Sequence, residues 1–520
     1  MNPRNKSHSL FRMDLAGELR RLRDALVRAG FTKAAFDELS KHGVIDLPVL
    51  VRLTASGSPA HNLIRLFKLG QSLPIEAVRA ALAPIQVTDL VDLGLLRQIG
   101  SSVVAEAALT PEIGELYFAH DFDPAFTGES ADVNHVLEAG PSSQTLAALT
   151  VRREGEDALD LCAGAGIQSM LAAKHCASVI ATDINLRALN FADFNARLNG
   201  ISNIQTRHGN LYEPVAGEQF DLVVANPPYI VSPTAHYVYR DSGLPGDSVC
   251  EKVIRDAPSH LRDGGYCVVL FNWHHRGEED WLDRPLKWTA GNGCDVWLMR
   301  FGNQLPVPYA FRWLRHCEGR NGADLDEPLD AWLAYYERLG IGLFSFGLLI
   351  LRRRAARTNW VRTDTLRPEW TAANCSEQIL RIFAAQDFLQ EVTGDEDFLD
   401  QRFALAHDHE MRHVLHAEGG SWTVTSATLR QTGGFEFAGY VDLNVVSLLS
   451  RCDGSRTLRQ LLDDLARRLG VGFNIVAPVA LELMRSLMRS GFLVVPEHPR
   501  FASQQHCLMS GRSAASLMDI

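Results

Sequence analysis

Apolar positions along the chain follow two different periods, and the changes between them divide the sequence into three regions. From residue 12 to about residue 98, apolar side chains such as Leu15, Leu19 and Leu22 recur every three or four residues, which predicts a helical array. Between residues 158 and 351, short apolar runs alternate with helical stretches, which predicts a mainly parallel sheet covered by helices. We therefore expect a mainly helical domain at 1–140, an α/β domain at 141–355 and an α+β domain at 356–520.

One strand of the central region ends at two consecutive prolines. The run from Phe220 to Ala225 reads as a buried strand, and Pro227 and Pro228 lack the N–H donors needed to continue it. Asn226 precedes a proline, so we expect it to project from the carboxyl end of the strand, where open α/β sheets bind ligands. The Asn226 amide oxygen and the Pro227 carbonyl are two acceptors, and Tyr229 offers a flat face. These groups suit a planar nitrogen that donates its N–H bonds while the ring stacks on it.

Other strand ends carry residues that suit a ribose-containing ligand. Residues 158–166 form a strand and a glycine turn, in which Gly164 and Gly166 permit positive φ and a close approach of the ligand. Asp183 ends the next predicted strand, and a carboxylate there can accept two hydrogen bonds from a ribose diol. Asn210 follows the third strand and can accept a hydrogen bond from an amine.

The order of glycine turn, acidic strand end, polar strand end and Asn-Pro-Pro-Tyr resembles the class I S-adenosylmethionine-dependent methyltransferases that carry this tetrapeptide. These enzymes modify adenine amines or glutamine side-chain amides. The resemblance implies a Rossmann-like fold with a seven-stranded, mostly parallel sheet, S-adenosylmethionine as cofactor, and Asn226, Pro227 and Tyr229 as catalytic residues. Asn210 departs from the acidic residue common at its place in the family. The expected cofactor-binding residues are Asp160, Cys162, Ala163, Gly164, Gly166, Asp183, Ile184, Asn210, Leu211 and Asn226.

The loop after the tetrapeptide, Tyr237 to Asp247, contains aromatic, glycine and charged residues and resembles the loop of large actinobacterial methyltransferases. We expect it to lie beside Tyr229, although a loop salt bridge explains its charges equally well. No dedicated general base is evident, and Asp241 and Asp247 are the nearest candidates. The expected substrate-binding residues are Pro228, Tyr229, Arg240, Asp241, Asp247 and Trp273.

Composition favours a soluble cytoplasmic protein. The polar stretch Met1 to Asp14 has no signal-peptide core, and the most apolar run, Ile341 to Leu351, is too short to span a bilayer. Nine cysteines without a Cys-x-x-Cys pair are typical of reduced thiols, and no metal-ligand spacing is present. We therefore expect neither a membrane partner nor a metal.

The identity of the methyl acceptor is left open by these residues. A small metabolite or amino acid with an amide or guanidine group is our first hypothesis. Such an acceptor suits the acidic chain, whose net charge is −11, and the large flanking domains. A protein glutamine is the alternative, followed by an adenine in nucleic acid, which the acidic chain disfavours. A non-catalytic cofactor-binding module is disfavoured because cofactor binding alone does not require Asn-Pro-Pro-Tyr.

The flanking regions contain no chemical motif. The first 140 residues are suited to substrate selection, a lid or simple stabilisation. In the last region, the predicted order of strand, three helices and strand resembles a winged-helix module, for which we favour a packing role because fold alone does not assign function.

The negative charge leads to a prediction about nucleic acids. We expect no strong salt-dependent binding to DNA or RNA, because a net charge of −11 opposes contact with phosphates. Fluorescence anisotropy with labelled oligonucleotides at low and moderate salt checks this. Micromolar affinity that falls steeply with salt would contradict it.

Overall fold

The computed structural model describes residues 11–41, 46–128, 131–318, 322–354, 358–366 and 374–501. The segment before Phe11 and the tail after Phe501 lie outside the described residues. The chain forms two compact units, one of residues 1–147 and 152–369 and the other of residues 148–151 and 370–520. The three domains expected from the sequence, with boundaries at 140 and 355, stay a prediction.

The first unit is built around an eight-stranded sheet with the strand order β8-β6-β7-β5-β4-β1-β2-β3. Its strands are β1 (Asp157–Leu161), β2 (Ser178–Asp183), β3 (Ile204–His208), β4 (Phe220–Ala225), β5 (Leu261–Arg276), β6 (Cys294–Gln304), β7 (Ile341–Arg353) and β8 (Val361–Thr365). Strands β1 to β5 are mutually parallel, and β7 runs antiparallel to both β5 and β6. The predicted Rossmann-like fold is confirmed, and β8 is one strand more than the seven expected.

Helices connect the strands of this sheet. They are Ile167–Ala172, Leu186–Leu198, Ser248–Asp256, Asp283–Thr289, Pro306–Glu318 and Asp326–Leu339. After β1 the chain moves outward through β2 to β3, and then returns to place β4 on the other side of β1. Ligands of open α/β sheets bind at such a reversal, outside the carboxyl ends of the strands. The glycine turn, Asp183 and Asn226 follow or end β1, β2 and β4, so the topology brings them to this point.

The N-terminal region is mainly helical, as predicted. Its α-helices up to residue 93 are Leu19–Arg28, Lys33–Ser40, Leu47–Leu53, Pro59–Phe67, Ile75–Leu82 and Val87–Leu93. They are followed by strands Leu96–Ile99 and Ser102–Ala105, which pair with each other, and by a hairpin of Ala108–Pro111 and Tyr117–His120. The chain continues through helices Pro124–Thr127 and Pro141–Leu149.

Two asparagines attach this region to the sheet. Asn195 accepts a hydrogen bond from the N–H of Ala119 at 2.6 Å and donates to its carbonyl at 3.0 Å. Asn199 makes the same pair of bonds to Tyr117, at 2.9 and 2.7 Å. Both side chains are buried, Asn195 within helix Leu186–Leu198 and Asn199 directly after it. They therefore satisfy backbone groups at the edge of strand Tyr117–His120.

The second unit is an α+β structure with its own apolar core. Its helices are Ser376–Glu391, Asp395–Leu399, Leu443–Leu449, Leu458–Leu469 and Phe473–Arg489. One antiparallel sheet contains Asp453–Thr457, Arg402–Leu405 and Leu493–Val494, and the other contains His409–Glu418, Ser421–Gln431 and Ala438–Val441. Among the described residues, no helix combines the length and the apolar composition required to cross a bilayer.

A buried carboxylate joins the last strands of the large sheet, and we predict that its loss is costly. Asp295 on β6 is fully buried and accepts hydrogen bonds from Arg352 on β7 and from the N–H of Trp360, which precedes β8. Asp295→Ala leaves the buried guanidinium without its counter-ion, so we expect the free energy of unfolding of the first unit to fall by about 3–5 kcal/mol.

Urea denaturation measures this loss. The matched control is Asp37→Ala, which removes an exposed ion pair with Lys33 and should cost less than about 1 kcal/mol. Equal losses in the two variants would contradict the role given to Asp295.

Candidate functional site

A cavity of about 610 Å³ lies at the carboxyl ends of β1, β2 and β4. This volume is in the range of pockets that hold small molecules and cofactors. Most of the residues predicted for the cofactor line it. These are Asp160, Cys162, Ala163, Gly164, Asp183, Ile184, Asn210, Leu211 and Asn226.

The Asp183 carboxylate connects two turns of the cavity wall. One oxygen accepts a hydrogen bond from the N–H of Gly164 at 2.9 Å, and the other accepts from the N–H of Asn185 at 2.8 Å. Burial raises the pKa of Asp183 above its usual range, although these N–H donors act in the opposite direction. The half-buried carboxylate faces the cavity, where further donors such as ribose hydroxyls reduce the cost of its burial.

The two glycines of the turn have different roles. Gly164 has φ +55°, and a Cβ built there meets no described atom within 4 Å, so its backbone is open to the cavity. Gly166 has φ +81°, and a Cβ there would lie 3.0 Å from the Cβ of Ala192. Gly166 does not line the cavity, and its close approach is to helix Leu186–Leu198, so its part in cofactor binding stays a prediction.

Asp160 is buried at the base of the turn. Its carboxylate accepts hydrogen bonds from the N–H and the hydroxyl of Ser169, at 2.8 and 2.6 Å. Burial raises the pKa of Asp160 to about 7, even though both Ser169 bonds favour the charged form. The residue therefore anchors the start of helix Ile167–Ala172 beneath the glycine turn. The neighbouring Cys162 has φ +61°, a conformation that non-glycine residues seldom adopt.

Asn226 lies where β4 ends, as predicted. Its Oδ1 atom is buried, and no described residue donates a hydrogen bond to it. A buried amide oxygen without a donor costs about 1–3 kcal/mol, and native proteins rarely leave one unless another molecule supplies the donor. Asn226 lines the cavity, so a bound molecule can supply this donor.

The other members of the tetrapeptide differ in whether they line the cavity. Pro228 lines the cavity, whereas Pro227 is buried. Tyr229 is partly buried and packs between two apolar clusters rather than lining the cavity. Its stacking on a substrate stays a prediction.

The loop charges form a buried ion pair. Arg240 donates to the Asp241 carboxylate at 2.7 and 3.0 Å, and its guanidinium lies over the rings of Tyr237 and Trp332. Asp241 also accepts from Ser232 and two backbone N–H groups. Only Asp241 lines the cavity, so the salt-bridge explanation describes these residues better than substrate contact.

Asp247 and Trp273, also predicted to bind substrate, lie away from the cavity. Asp247 accepts hydrogen bonds from Arg284. Burial opposes the ionisation of this carboxylate, but its bonds with His274 and Arg284 hold the pKa of Asp247 below its usual range. Trp273 is fully buried on β5, which continues to Arg276. Its indole N–H donates to the carbonyl of Trp281.

The opposite wall of the cavity was not predicted. Most residues of the segment from His135 to Ser143 line the cavity, and Gln168 ties this segment to helix Ile167–Ala172 by donating to the carbonyl of Ser143 at 2.8 Å. No motif marks these residues in the sequence. Further lining residues that were missed are Thr182, Asn185, Ala188, Tyr239, Leu244 and Lys252.

Comparison with known proteins identifies the family. A model described as "Methyltransferase small domain" matches residues 138–289. The release factor glutamine methyltransferase of Xylella fastidiosa is 36% identical over 25% of this chain and 51% of its own length. The ribosomal protein uL3 glutamine methyltransferase of Bradyrhizobium diazoefficiens is 34% identical over 26% and 46%. A Methanocaldococcus jannaschii protein, named for protein N5-glutamine methylation, is 32% identical over 26% and 71%.

The chain belongs to the methyltransferase small domain family. It spans about half the length of the first two relatives and most of the third. Two further models, the domains of unknown function DUF7059 and DUF7782, match residues 45–106 and 380–495. The cavity fits S-adenosylmethionine, the cofactor of such methyltransferases, because Asp183 suits the ribose and Gly164 leaves room at the turn.

Three side chains with metal-ligating atoms meet near the cavity wall: Glu112, His120 and Glu138. The ammonium group of Lys68 contacts Glu138 directly, so this cluster already contains a cation. His120 is buried, and burial lowers its pKa to about 4.

The two glycines lead to a paired prediction. Gly166→Ala and Gly164→Ala both place alanine at positive φ, at a cost of about 1–2 kcal/mol each. Gly166→Ala should cost more stability, because its methyl group meets Ala192, whereas Gly164→Ala should weaken S-adenosylmethionine binding more, because its methyl group enters the cavity. Urea denaturation and calorimetric titration of both variants check this, and the reverse ranking in either measurement would contradict it.

Proposed function

We propose that this protein is an S-adenosylmethionine-dependent N-methyltransferase that acts on a planar amide nitrogen, most specifically the side chain of a protein glutamine. The observation that supports this function is the buried, unpaired Oδ1 of Asn226 at the end of β4, beside the cavity. This oxygen can accept a hydrogen bond, and none of the described residues donates one to it.

An amide nitrogen is a poor nucleophile because its lone pair is delocalised into the carbonyl group. Asn226 Oδ1 can accept one of its N–H bonds and favour the pyramidal form in which the lone pair is available. The Pro227 carbonyl is the second acceptor that we assign to this role. Such fixed acceptors act more strongly on the transition state than on the ground state, which is the requirement for catalysis.

S-adenosylmethionine, when bound, supplies an electrophilic methyl group. We assign the Asp183 carboxylate to its ribose hydroxyls and the Gly164 backbone to the amino-acid part. Residues of the segment 135–143 line the same cavity, and we assign them to orienting the cofactor. We assign no proton transfer to Asp241 or Asp247, because both carboxylates already form buried ion pairs.

The choice of acceptor rests on the relatives. Our sequence-based preference for a small metabolite has no support among them, whereas three relatives are named for methylation of glutamine in proteins. We therefore favour a protein glutamine, which offers the same primary amide that Asn226 suits. A primary amide has two N–H donors, one for each of the two acceptors.

Asn226→Ala separates catalysis from cofactor binding. It should lower turnover by about a hundredfold, on the order of 3 kcal/mol, through loss of one positioned acceptor. Cofactor affinity should stay near wild type, and Asn226→Asp should be milder because a carboxylate still accepts. Transfer of labelled methyl from S-adenosylmethionine to purified release factor and ribosomal protein uL3 measures turnover, and calorimetry measures affinity.

Asp183→Ala is the matched control, because we expect it to weaken cofactor binding, which Asn226→Ala should leave near wild type. It should weaken S-adenosylmethionine binding by about 1–3 kcal/mol, because a charge-assisted bond is lost. Full turnover in Asn226→Ala would overturn the planar-nitrogen mechanism. Cofactor binding by the wild type without methylation of either protein would argue against those glutamine acceptors.

A further inference from the structure

We propose that the hydroxyl group of Thr182 is a further binding group for the cofactor, and that it contacts the adenosine half. This inference rests on the proposed function and adds a residue that no sequence motif marks. Thr182 is the penultimate residue of β2 and directly precedes Asp183.

The first argument is an unpaired polar atom. Thr182 is only 1% exposed, and its Oγ1 has no hydrogen-bond partner among the described residues. Thr182 also lines the cavity. A buried hydroxyl without a partner destabilises the cofactor-free protein, so a ligand that bonds to it gains affinity.

The second argument is the direction of the side chain. Side chains alternate along a strand, so Thr182 lies on the same face of β2 as Ile180 and on the opposite face from Asp183. Its register partner on β1 is Leu161. Leu161 and Ile180 belong to the apolar cluster that also contains Leu211, and Leu211 lines the cavity together with Thr182.

The third argument is the position of this turn. Asn210 and Leu211 follow β3, which lies beside β2 on the side away from β1 and its glycine turn, and they line one wall of the cavity together with the exposed Ile184. With the ribose at Asp183 and the amino-acid part at Gly164, this wall is left for the adenine. The Thr182 hydroxyl can both donate and accept, so it can pair with a ring nitrogen, the exocyclic amine or a ribose hydroxyl.

An isosteric substitution tests the proposal. Thr182→Val keeps the shape and removes the hydroxyl, so S-adenosylmethionine should bind about threefold to tenfold more weakly, the effect of one neutral hydrogen bond. The unfolding temperature of the cofactor-free variant should not fall, because the lost hydroxyl had no partner. The affinity for S-adenosylhomocysteine and for 5′-methylthioadenosine, which lacks the amino-acid part, should fall by the same factor.

Two controls accompany this variant. Thr182→Ser keeps the hydroxyl and should retain cofactor affinity. Thr206→Val changes a threonine of β3 that bonds to Asp193 outside the cavity, and should leave cofactor affinity unchanged.

The outcomes separate the proposal from the proposed function. Wild-type affinity in Thr182→Val would overturn the role of the hydroxyl, and weaker binding of S-adenosylmethionine but not of 5′-methylthioadenosine would overturn the contact with adenosine. Failure of the wild-type protein itself to bind S-adenosylmethionine would instead overturn the proposed function.

Discussion

The arrangement of the cavity depends on the Asp183 carboxylate. Its two oxygens accept backbone N–H groups from two different turns, one after β1 and one after β2. These bonds fix the distance between the glycine turn and the end of β2 before a ligand arrives. Charged-group hydrogen bonds are stronger than neutral ones, and their strength increases where water is excluded. The same carboxylate that we assign to the ribose thus also shapes the site that receives it.

The wall opposite the sheet depends on a second buried carboxylate. Asp121 accepts hydrogen bonds from Arg187 and from the N–H of Val136, which places the start of the wall segment against the helix after β2. Burial opposes its charge, but Arg187 holds the pKa of Asp121 below its usual range. Asn185 donates to the carbonyl of Asn134 and extends the same connection. The N-terminal region therefore takes part in the site and does not only add stability.

The residues that the sequence located well are those that act through local backbone chemistry. Gly164 at a positive φ, Asp183 at a strand end and Asn226 before two prolines are each marked by residue type and spacing alone. Trp273, which was predicted to bind substrate, does not line the cavity. It is buried on β5, where it lies opposite Ser345 of β7, some 70 residues later in the sequence.

The sequence by itself therefore determined the fold class, the strand ends that form the cavity and the family. Only the tertiary structure decided which side chains face the cavity. It assigned Gly166 to helix packing, Asp247 to an ion pair with Arg284, and residues 135–143 to the opposite wall. The physical reason is that φ preferences and missing donors are properties of single residues. The burial and pairing of a side chain instead depend on which distant segments pack against it.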